Sequence, residues 1–439
     1  MQILEIQVEA VRGVPAGHDR LALDFQSRNR EVPRWIVFAG RNGAGKSTLM
    51  KSIALAIAGP SVARLLAESF DGWIRDGEDE AMAAVKLDFS DGDAFAAGRK
   101  PGFDPWTSLS WTRADGPEPI MERNRVGGNW TPERGPWAEN PKGWFLAGYG
   151  PFRRLSPAPS EALRLMMSPG RPAALASLFR EDASLSESVQ WLQRIYLQRL
   201  EERPDAAELE QVVLALLDDG LLPEGMRVEK IDSQGLWVRT PEDRIFPLTE
   251  LSDGYRTVAG LVLDLVKQIH SMNGFVPSRN EDGKTRITQE GVVLIDEIDV
   301  HLHVEWQKRI GFWLKDHFPR LQFIVSTHSP FICQAADEGG LIRLSPSWQE
   351  GPAGSIVDGE MFNRVVNGST DEALLTDLFG LDTTLSVRAQ EDRSRLADLE
   401  SAAILGKIGD DEAVEMRKLN ERIPTTHLTS VDSFLRVIE

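Results

Sequence analysis

A glycine-rich segment between two regular patterns places the strongest constraint on this chain. It reads Gly40-Arg41-Asn42-Gly43-Ala44-Gly45-Lys46-Ser47, follows the apolar run at residues 35–39 and precedes apolar residues at helical spacing. The pattern predicts a strand, a tight loop and a helix, with consecutive backbone N–H groups of the loop surrounding a polyphosphate. Lys46 is then placed to reach the β- and γ-phosphates, and the Ser47 hydroxyl to hold Mg²⁺. We therefore expect a nucleotide-binding α/β core.

Two further apolar runs end in residues that suit phosphate chemistry. Residues 292–295 are followed by Asp296 and Glu297, and residues 321–326 are followed by Thr327 and His328. Continuous apolar runs are typical of buried parallel strands. Asp296 is predicted to hold the Mg²⁺ shell, Glu297 to polarise the attacking water, and His328 to sense or stabilise the γ-phosphate. Adjacent strand residues point to opposite faces, so the strand must end or bend at the two carboxylates if both serve one site.

A fourth motif separates the families of P-loop proteins. Leu251-Ser252-Asp253-Gly254-Tyr255-Arg256 opens a segment with apolar residues at helical spacing. Ser252 is a natural N-cap, and Gly254 allows a close backbone approach. Alone, the hexapeptide is also typical of an ordinary capped helix. Together with the other motifs, it resembles the signature loop of ABC ATPases, in the variant found in soluble SMC-like ATPases.

The resemblance covers most of the chain. Residues 294–307 resemble the extended Walker B and D-loop of ABC-type ATPases of prokaryotic DNA repair and antiviral defence, and residues 323–330 resemble their switch-histidine segment. The chain is similar to the PtuA-type ATPase subunits of Septu and retron-associated systems, and more distantly to RecF and the overcoming-lysogenisation-defect ATPases. The implied fold class is α/β: an ABC-ATPase-like P-loop head with a mixed sheet, an inserted antiparallel β region, a short helical lobe and no long coiled coil.

The resemblance also implies a mechanism. Two heads face each other head-to-tail, as a dimer or part of a higher oligomer, and ATP with Mg²⁺ bound by one copy is completed by the signature of the other. Lys46, Glu297 and His328 are the implied catalytic residues, with Ser47 and Asp296 at the metal. The implied nucleotide-binding residues are Asn42, Gly43, Ala44, Gly45, Lys46, Ser47 and Thr48 of one copy, with Ser252, Asp253, Gly254 and the D-loop Asp299 at the contact between copies. His301 and His303 are not expected to form a metal pair, since further ligands are lacking.

Composition sets limits on the class of protein. The 439 residues exceed what one core usually supports, and no apolar stretch approaches the roughly 20 residues of a membrane helix. Residues 1–6 alternate like a strand and not like a signal peptide, and the lone Cys333 excludes an internal disulfide framework. We therefore expect a cytoplasmic protein that makes no membrane contact.

Charge bears on DNA binding. The 67 acidic and 49 basic residues give a formal charge of −18, which argues against a broadly basic DNA-binding surface. A local basic channel stays possible, and a solvated or phosphate-sensing surface is the favoured alternative. The arginines concerned are Arg153, Arg154, Arg164, Arg171 and Arg180.

The predicted organisation has five parts. Residues 1–80 and 226–350 form the ATPase head, 81–150 an inserted β-rich region, 151–225 a helical lobe and 351–439 a C-terminal helical extension. Five of the twelve tryptophans crowd into the β-rich region. They could stack on single-stranded bases or bind a partner, but the core of a thin antiparallel sheet is favoured. Related ATPases have a metal-reaching glutamine after this region; none is present here, so Tyr149 or Arg153 is the candidate replacement. Residues 273–290 are predicted to be an exposed loop.

Three functions fit these observations. The first is a dimerising ATPase that senses foreign or damaged DNA and controls a separate effector, a nuclease, since the chain shows no nuclease motif of its own. The second is a RecF-like repair ATPase that binds DNA directly. The third is an ATP-binding scaffold with negligible turnover. Glu297 argues against the third, and the acidic charge favours the first over the second.

Overall fold

The computed structural model describes residues 1–26, 31–96, 100–124, 126, 130–152, 165–166, 170–183, 185–222 and 225–423. The strands are β1 (Gln2–Glu9), β2 (Leu21–Asp24), β3 (Trp35–Ala39), β4 (Glu80–Asp88), β5 (Trp106–Thr112), β6 (Ile120–Arg123), β7 (Leu146–Tyr149), β8 (Arg227–Asp232), β9 (Gly235–Arg239), β10 (Ile245–Pro247), β11 (Ser278–Glu281), β12 (Lys284–Ile287), β13 (Gly291–Ile295), β14 (Leu321–Thr327), β15 (Leu341–Leu344) and β16 (Gly354–Ile356). The helices are α1 (Lys46–Ala58), α2 (Pro60–Leu66), α3 (Arg171–Phe179), α4 (Ser186–Leu200), α5 (Ala206–Asp218), α6 (Asp253–Asn273), α7 (Val304–His317), α8 (Pro330–Cys333), α9 (Gly359–Val366), α10 (Thr370–Leu374), α11 (Val387–Ile404) and α12 (Asp410–Arg422).

The main sheet brings the predicted phosphate motifs to one edge. Its six strands lie in the order β16-β15-β3-β14-β13-β7, and all neighbours are parallel except β15 and β16. The three apolar runs of the sequence form β3, β14 and β13, which are adjacent and buried along their whole length. The carboxyl ends of adjacent parallel strands meet at the same edge, so their three motifs converge there. The prediction of buried parallel strands is confirmed.

A second, antiparallel sheet covers the other side of α1. Its order is β2-β1-β4-β5-β6, so strands from residues 81–150 pair directly with the N-terminal strand β1. Ile6 of this sheet, Ile53 of α1 and Ile324 of the main sheet share one apolar cluster. Trp111 and Trp144 are fully buried, which confirms that the tryptophan-rich region supplies large side chains to a core. The fold class, a mixed-sheet α/β head with an antiparallel β region, is also confirmed.

The helical lobe packs on the main sheet through α6. Ser188 of α4 and Tyr149 of β7 both donate hydrogen bonds to the buried carboxylate of Asp264 on α6, at 3.3 and 3.1 Å. Among the helices in the described ranges, α6 is the longest, with 21 residues. Before the signature, β8 and β9 form a hairpin. The prediction of an exposed loop at 273–290 is wrong in part, because β11 and β12 form a second hairpin there.

The chain divides into two compact units, Met1–Phe379 and Gly380–Glu439. Residues 351–379 belong to the first unit, where Val357 and Val365 lie in its core. In the second unit α11 and α12 pack together, with Leu399 and Leu419 buried. The two compact units divide after Phe379, and the predicted domain boundaries, including the one after residue 350, stay predictions. None of the helices in these described parts is both long and apolar enough to cross a membrane.

Arg171 is a structural residue and not part of a DNA-binding channel. Its side chain is only 8% exposed, and the guanidinium donates to the carbonyls of Ile57 at 3.1 Å, Trp144 at 2.6 Å and Pro136. Arg180, at the end of the same helix, pairs with two acidic side chains. The other three arginines of the suggested channel lie outside the described residues.

We predict that Arg171→Met lowers the free energy of unfolding by about 3 kcal/mol, because three carbonyl groups lose their buried donor. Urea unfolding followed by circular dichroism measures this. Arg180→Met is the matched control and should cost about 1 kcal/mol or less, since its partners are solvent-exposed. Equal losses in the two variants would contradict the structural role of Arg171.

Candidate nucleotide-binding site

The loop between β3 and α1 has the backbone of a phosphate cradle. Gly43 and Gly45 have φ angles of +80° and +79°, a left-handed region that glycine adopts without steric cost. Gly45 directly precedes α1 and accepts the hydrogen bond from Leu49 N at 2.9 Å. The first N–H groups of α1 have no partner within the helix and lie at its positive end. Asn42 and Gly43 are exposed, while Ala44, Ser47 and Thr48 are half-buried.

Lys46 is held inside this loop. Its Nζ donates to the carbonyls of Gly40 at 2.9 Å and Arg41 at 3.2 Å. Burial lowers the pKa of the Lys46 ammonium, and the nearby carboxylates of Glu297, Asp296 and Asp299 act against that shift. The cation of the loop and the acidic residues after β13 thus belong to one electrostatic site.

The two carboxylates after β13 are separated by a sharp turn of the backbone. The strand ends at Ile295, and Asp296 is 1% exposed, with its N–H donating to the Tyr149 carbonyl at 2.8 Å. Glu297 has a φ of +47°, which is rare for a residue with a side chain and costs about 1–3 kcal/mol. The prediction that the strand ends here is confirmed.

Ser326, the penultimate residue of β14, stabilises the backbone turn at Asp296 and Glu297. Its Oγ donates to Asp296 Oδ1 and accepts from the backbone N–H of Glu297 at 2.8 Å. The Ser326 carbonyl also accepts from Ile298 N at 3.0 Å. Sequence reasoning did not give Ser326 a role, because it stands inside an apolar strand and its contact with residue 296 arises only from strand pairing.

Thr327, the last residue of β14, and Ser329, which follows the strand, hold the D-loop through hydrogen bonds. Thr327 Oγ1 donates to the Asp299 carboxylate and accepts from Ser329 N at 2.9 Å, and Ser329 Oγ donates to Gln307 Oε1 at 2.7 Å. His328 is exposed between them. Partial desolvation and the Lys46 cation lower the pKa of His328 below its usual 6.5, against the opposite effect of Asp299 and Asp296. The neutral form of the imidazole is thereby favoured.

The signature segment lies against the D-loop of its own chain. A Cβ at Gly254 would lie 2.7 Å from the carbonyl oxygen of His301, so only glycine fits there. Tyr255 meets the Trp306 ring edge-on, at 6.1 Å between centroids. Ser252 is the N-cap of α6 in backbone conformation, and both Ser252 and Asp253 are exposed. The signature and the D-loop, whose contacting residues Gly254 and His301 are 47 positions apart, are thereby joined in one surface.

A family model matches most of the chain. The family model described as "AAA domain, putative AbiEii toxin, Type IV TA system" matches residues 36–334. The chain belongs to this family. The match spans the P-loop, the signature, the carboxylate pair and the switch histidine.

Three relatives with curated names match parts of the chain. The chain is 28% identical over 205 residues to the Septu protein PtuA of Bacillus thuringiensis, covering 45% of this chain and 48% of the relative. It is 25% identical over 325 residues to PtuA of Bacillus mycoides (strain KBAB4), covering 74% and 38%. It is 38% identical over 95 residues to the Retron Ec83 probable ATPase of Escherichia coli, covering 22% and 16%. The chain thus spans less than half the length of these relatives, and the predicted resemblance to PtuA and retron ATPases is confirmed.

A search of solved structures finds the SMC head domain from Thermotoga maritima, with a TM-score of 0.41 and 14% identity, covering 82% of this chain and 100% of that one. The Smc head bound to the C-winged helix domain of ScpA has a TM-score of 0.44 and 16% identity, covering 81% and 97%.

The residues present fit a magnesium ion. Mg²⁺ prefers oxygen ligands, and the predicted pair, Ser47 and Asp296, offers a hydroxyl and a buried carboxylate oriented by Ser326. Tyr149 does not replace the missing glutamine: its buried hydroxyl bonds to Asp264, and burial raises its pKa well above the usual value. That prediction is wrong, and the alternative, Arg153, lies outside the described residues. His303 accepts from Glu305 N as the N-cap of α7.

We predict that Ser326→Ala lowers the free energy of unfolding by about 2 kcal/mol, because the buried Asp296 loses its donor and the Glu297 N–H loses its acceptor. Thermal or urea unfolding measures the change. Ser355→Ala removes an exposed hydroxyl from β16 of the same sheet and should stay within about 0.5 kcal/mol of the parent. An unchanged free energy of unfolding in Ser326→Ala would show that these two hydrogen bonds do not stabilise the fold.

Proposed function

We propose that this protein is a dimerising, cytoplasmic ATPase that couples ATP binding and hydrolysis to the sensing of foreign or damaged DNA, and that it controls a separate effector, a nuclease, in antiviral defence. The observation that carries the ATPase assignment is the placement of Asp296 and Glu297, tied to Ser326, opposite the Lys46 ammonium. Family membership and the names of the relatives support the defence role.

The mechanism rests on positioning and charge, as phosphoryl transfer generally does. The backbone of residues 42–48 and the Lys46 ammonium bind the β- and γ-phosphates. Ser47 and Asp296 would hold Mg²⁺, which would supply positive charge to offset the negative charge of the phosphates. Glu297 orients the attacking water, and the neutral His328 donates a hydrogen bond to the γ-phosphate.

The exposure of the signature supports the proposed dimer. Ser252 and Asp253 lie at the N-terminus of a 21-residue helix, where open N–H groups and the helix dipole favour an anionic phosphate. We propose that these residues complete the nucleotide site of the opposing copy. Asp299, whose carboxylate is oriented by Thr327, then lies at the contact between copies and couples the two sites.

The second unit offers a surface for the effector. Ile404 and Leu405 are adjacent at the end of α11, and both side chains are largely exposed. An exposed apolar pair of this kind favours contact with another protein. Direct DNA binding has less support, since Arg171 is buried and Arg180 is ion-paired. A scaffold without turnover has less support because Glu297 is oriented.

We predict that Glu297→Gln retains ATP binding and lowers the hydrolysis rate by about 100-fold or more, because the amide cannot polarise water. Phosphate release and equilibrium binding of ATP–Mg²⁺ measure the two effects. Glu305→Gln, an exposed carboxylate in the first turn of α7, is the control and should keep the parent rate. Full turnover in Glu297→Gln would remove Glu297 from the mechanism.

The same variant tests the dimer. With ATP–Mg²⁺, Glu297→Gln should accumulate as a dimer in light-scattering mass measurements, and adding Ser252→Arg should return it to monomers that still bind ATP. Ser401→Arg, on the exposed face of α11, is the matched control and should leave the dimer intact. A dimer that survives Ser252→Arg would contradict a head-to-tail contact through the signature.

We predict that the chain, expressed with its native neighbouring genes, purifies in a complex with a second protein that has nuclease activity. Replacing Ile404 and Leu405 by Asp should release that protein and leave ATP hydrolysis unchanged. Leu65→Asp on α2, which also changes an exposed leucine, should keep the complex. A bare ATP-dependent dimer whose hydrolysis is stimulated by DNA would instead favour the repair function.

A further inference from the structure

A tight turn after the main sheet is fixed against the nucleotide loop. Beyond β15, Ser345 N donates to Ala353 O at 2.9 Å, and Ala353 N donates to Asp19 O at 2.9 Å. Between these points Gln349 N donates to Pro346 O at 3.0 Å, which closes a four-residue turn. Trp348 is the third residue of that turn, so its position is set by hydrogen bonds at both ends of the connection.

The Trp348 indole lies against the phosphate loop at Gly43. Its Cζ3 and Cη2 atoms are 3.2 and 3.3 Å from the place that a Cβ at Gly43 would occupy. The neighbouring Ser347 contacts Gly13 of the β1–β2 connection in the same way, at 3.5 Å. The turn therefore bridges the phosphate loop and the β1–β2 connection. Gly43 serves two purposes here, since its φ is positive and its missing side chain admits the ring.

The exposed Trp348 ring is available to contact a ligand. Trp348 is 72% exposed, although tryptophan carries one of the largest apolar surfaces of any side chain. A nucleobase is linked to the phosphates by a single ribose, so the base of a bound nucleotide must lie next to the phosphate loop. A flat, apolar ring at that place offers a π-face to any base.

We propose that Trp348 stacks on the base of the bound nucleoside triphosphate and thereby contributes to nucleotide affinity and to preference for purines. This rests on the nucleotide binding of the proposed function. Stacking recognises the size of the aromatic face and not its hydrogen-bonding edge. ATP and GTP therefore gain from the contact to a similar degree, and pyrimidine nucleotides gain less.

The test measures binding of Mg²⁺–ATP and of Mg²⁺–tripolyphosphate by calorimetry. In Trp348→Ala the Kd for ATP should rise about tenfold, while the Kd for tripolyphosphate, which has no base, should change less than twofold. Trp348→Phe should restore most of the ATP affinity. Phe275→Ala, another largely exposed aromatic residue, is the control and should leave both constants unchanged. ATP should also quench tryptophan fluorescence in the parent protein and not in Trp348→Ala.

Three results would overturn the proposal. Unchanged ATP affinity in Trp348→Ala would exclude stacking, and equal losses for ATP and tripolyphosphate would show that the residue acts through the shape of the loop. Loss of the ATP-dependent dimer with unchanged affinity in the monomer would assign Trp348 to the contact between copies. Failure of the proposed function is distinguishable, because the parent protein would then bind neither probe, and Lys46→Ala would make no difference.

Discussion

The hydroxyl of Ser326 connects the structural core to the chemistry of the site. It joins two neighbouring parallel strands at their carboxyl ends, donating to Asp296 and accepting from the N–H of Glu297. Without these hydrogen bonds from Ser326, the buried Asp296 carboxylate and the strained backbone of Glu297 would be adjacent with less to stabilise them. With them, the cost of the positive φ of Glu297 is offset in a water-poor environment, where hydrogen bonds are strong. Both carboxylates can then serve one side of the sheet.

Buried charge explains why the site must be built as a unit. Lys46 and Asp296 are both buried, and an isolated charge in either position would be costly to remove from water. The carboxylates of Glu297, Asp296 and Asp299 favour the charged form of the Lys46 ammonium, and Gly40 and Ser326 supply hydrogen bonds. The signature is joined to this unit by Gly254, whose approach to the His301 carbonyl leaves no space for a side chain. The signature and the D-loop of one copy therefore pack directly against each other.

Buried polar side chains also hold the lobes to the main sheet. Tyr149 and Ser188 converge on Asp264, which ties α4 and α6 to the strand β7 beside the site. Arg171 joins α3 to the end of α1 and to the segment before β7 through three carbonyl groups. In the sequence analysis Tyr149 had been a candidate for metal binding and Arg171 a candidate for DNA contact. The structure assigns them to packing, because their polar atoms meet partners from distant segments.

The sequence by itself determined the elements that depend on local pattern. The P-loop, the buried strands β3, β13 and β14, the helix after the signature and the hairpin β8–β9 all follow from apolar periodicity, glycine placement and capping residues. The carboxylate pair could be assigned to one site because parallel strands end at a common edge. Only the tertiary structure decided which residues meet in the site. These pairs are Ser326 with Asp296, Gly254 with His301, and Trp348 with Gly43. It also decided that the tryptophan-rich strands share a sheet with β1, and that Arg171 and Tyr149 are buried. The physical reason is that these contacts join residues far apart in the chain. Periodicity sets which face of an element is apolar, while strand order and register decide what that face meets.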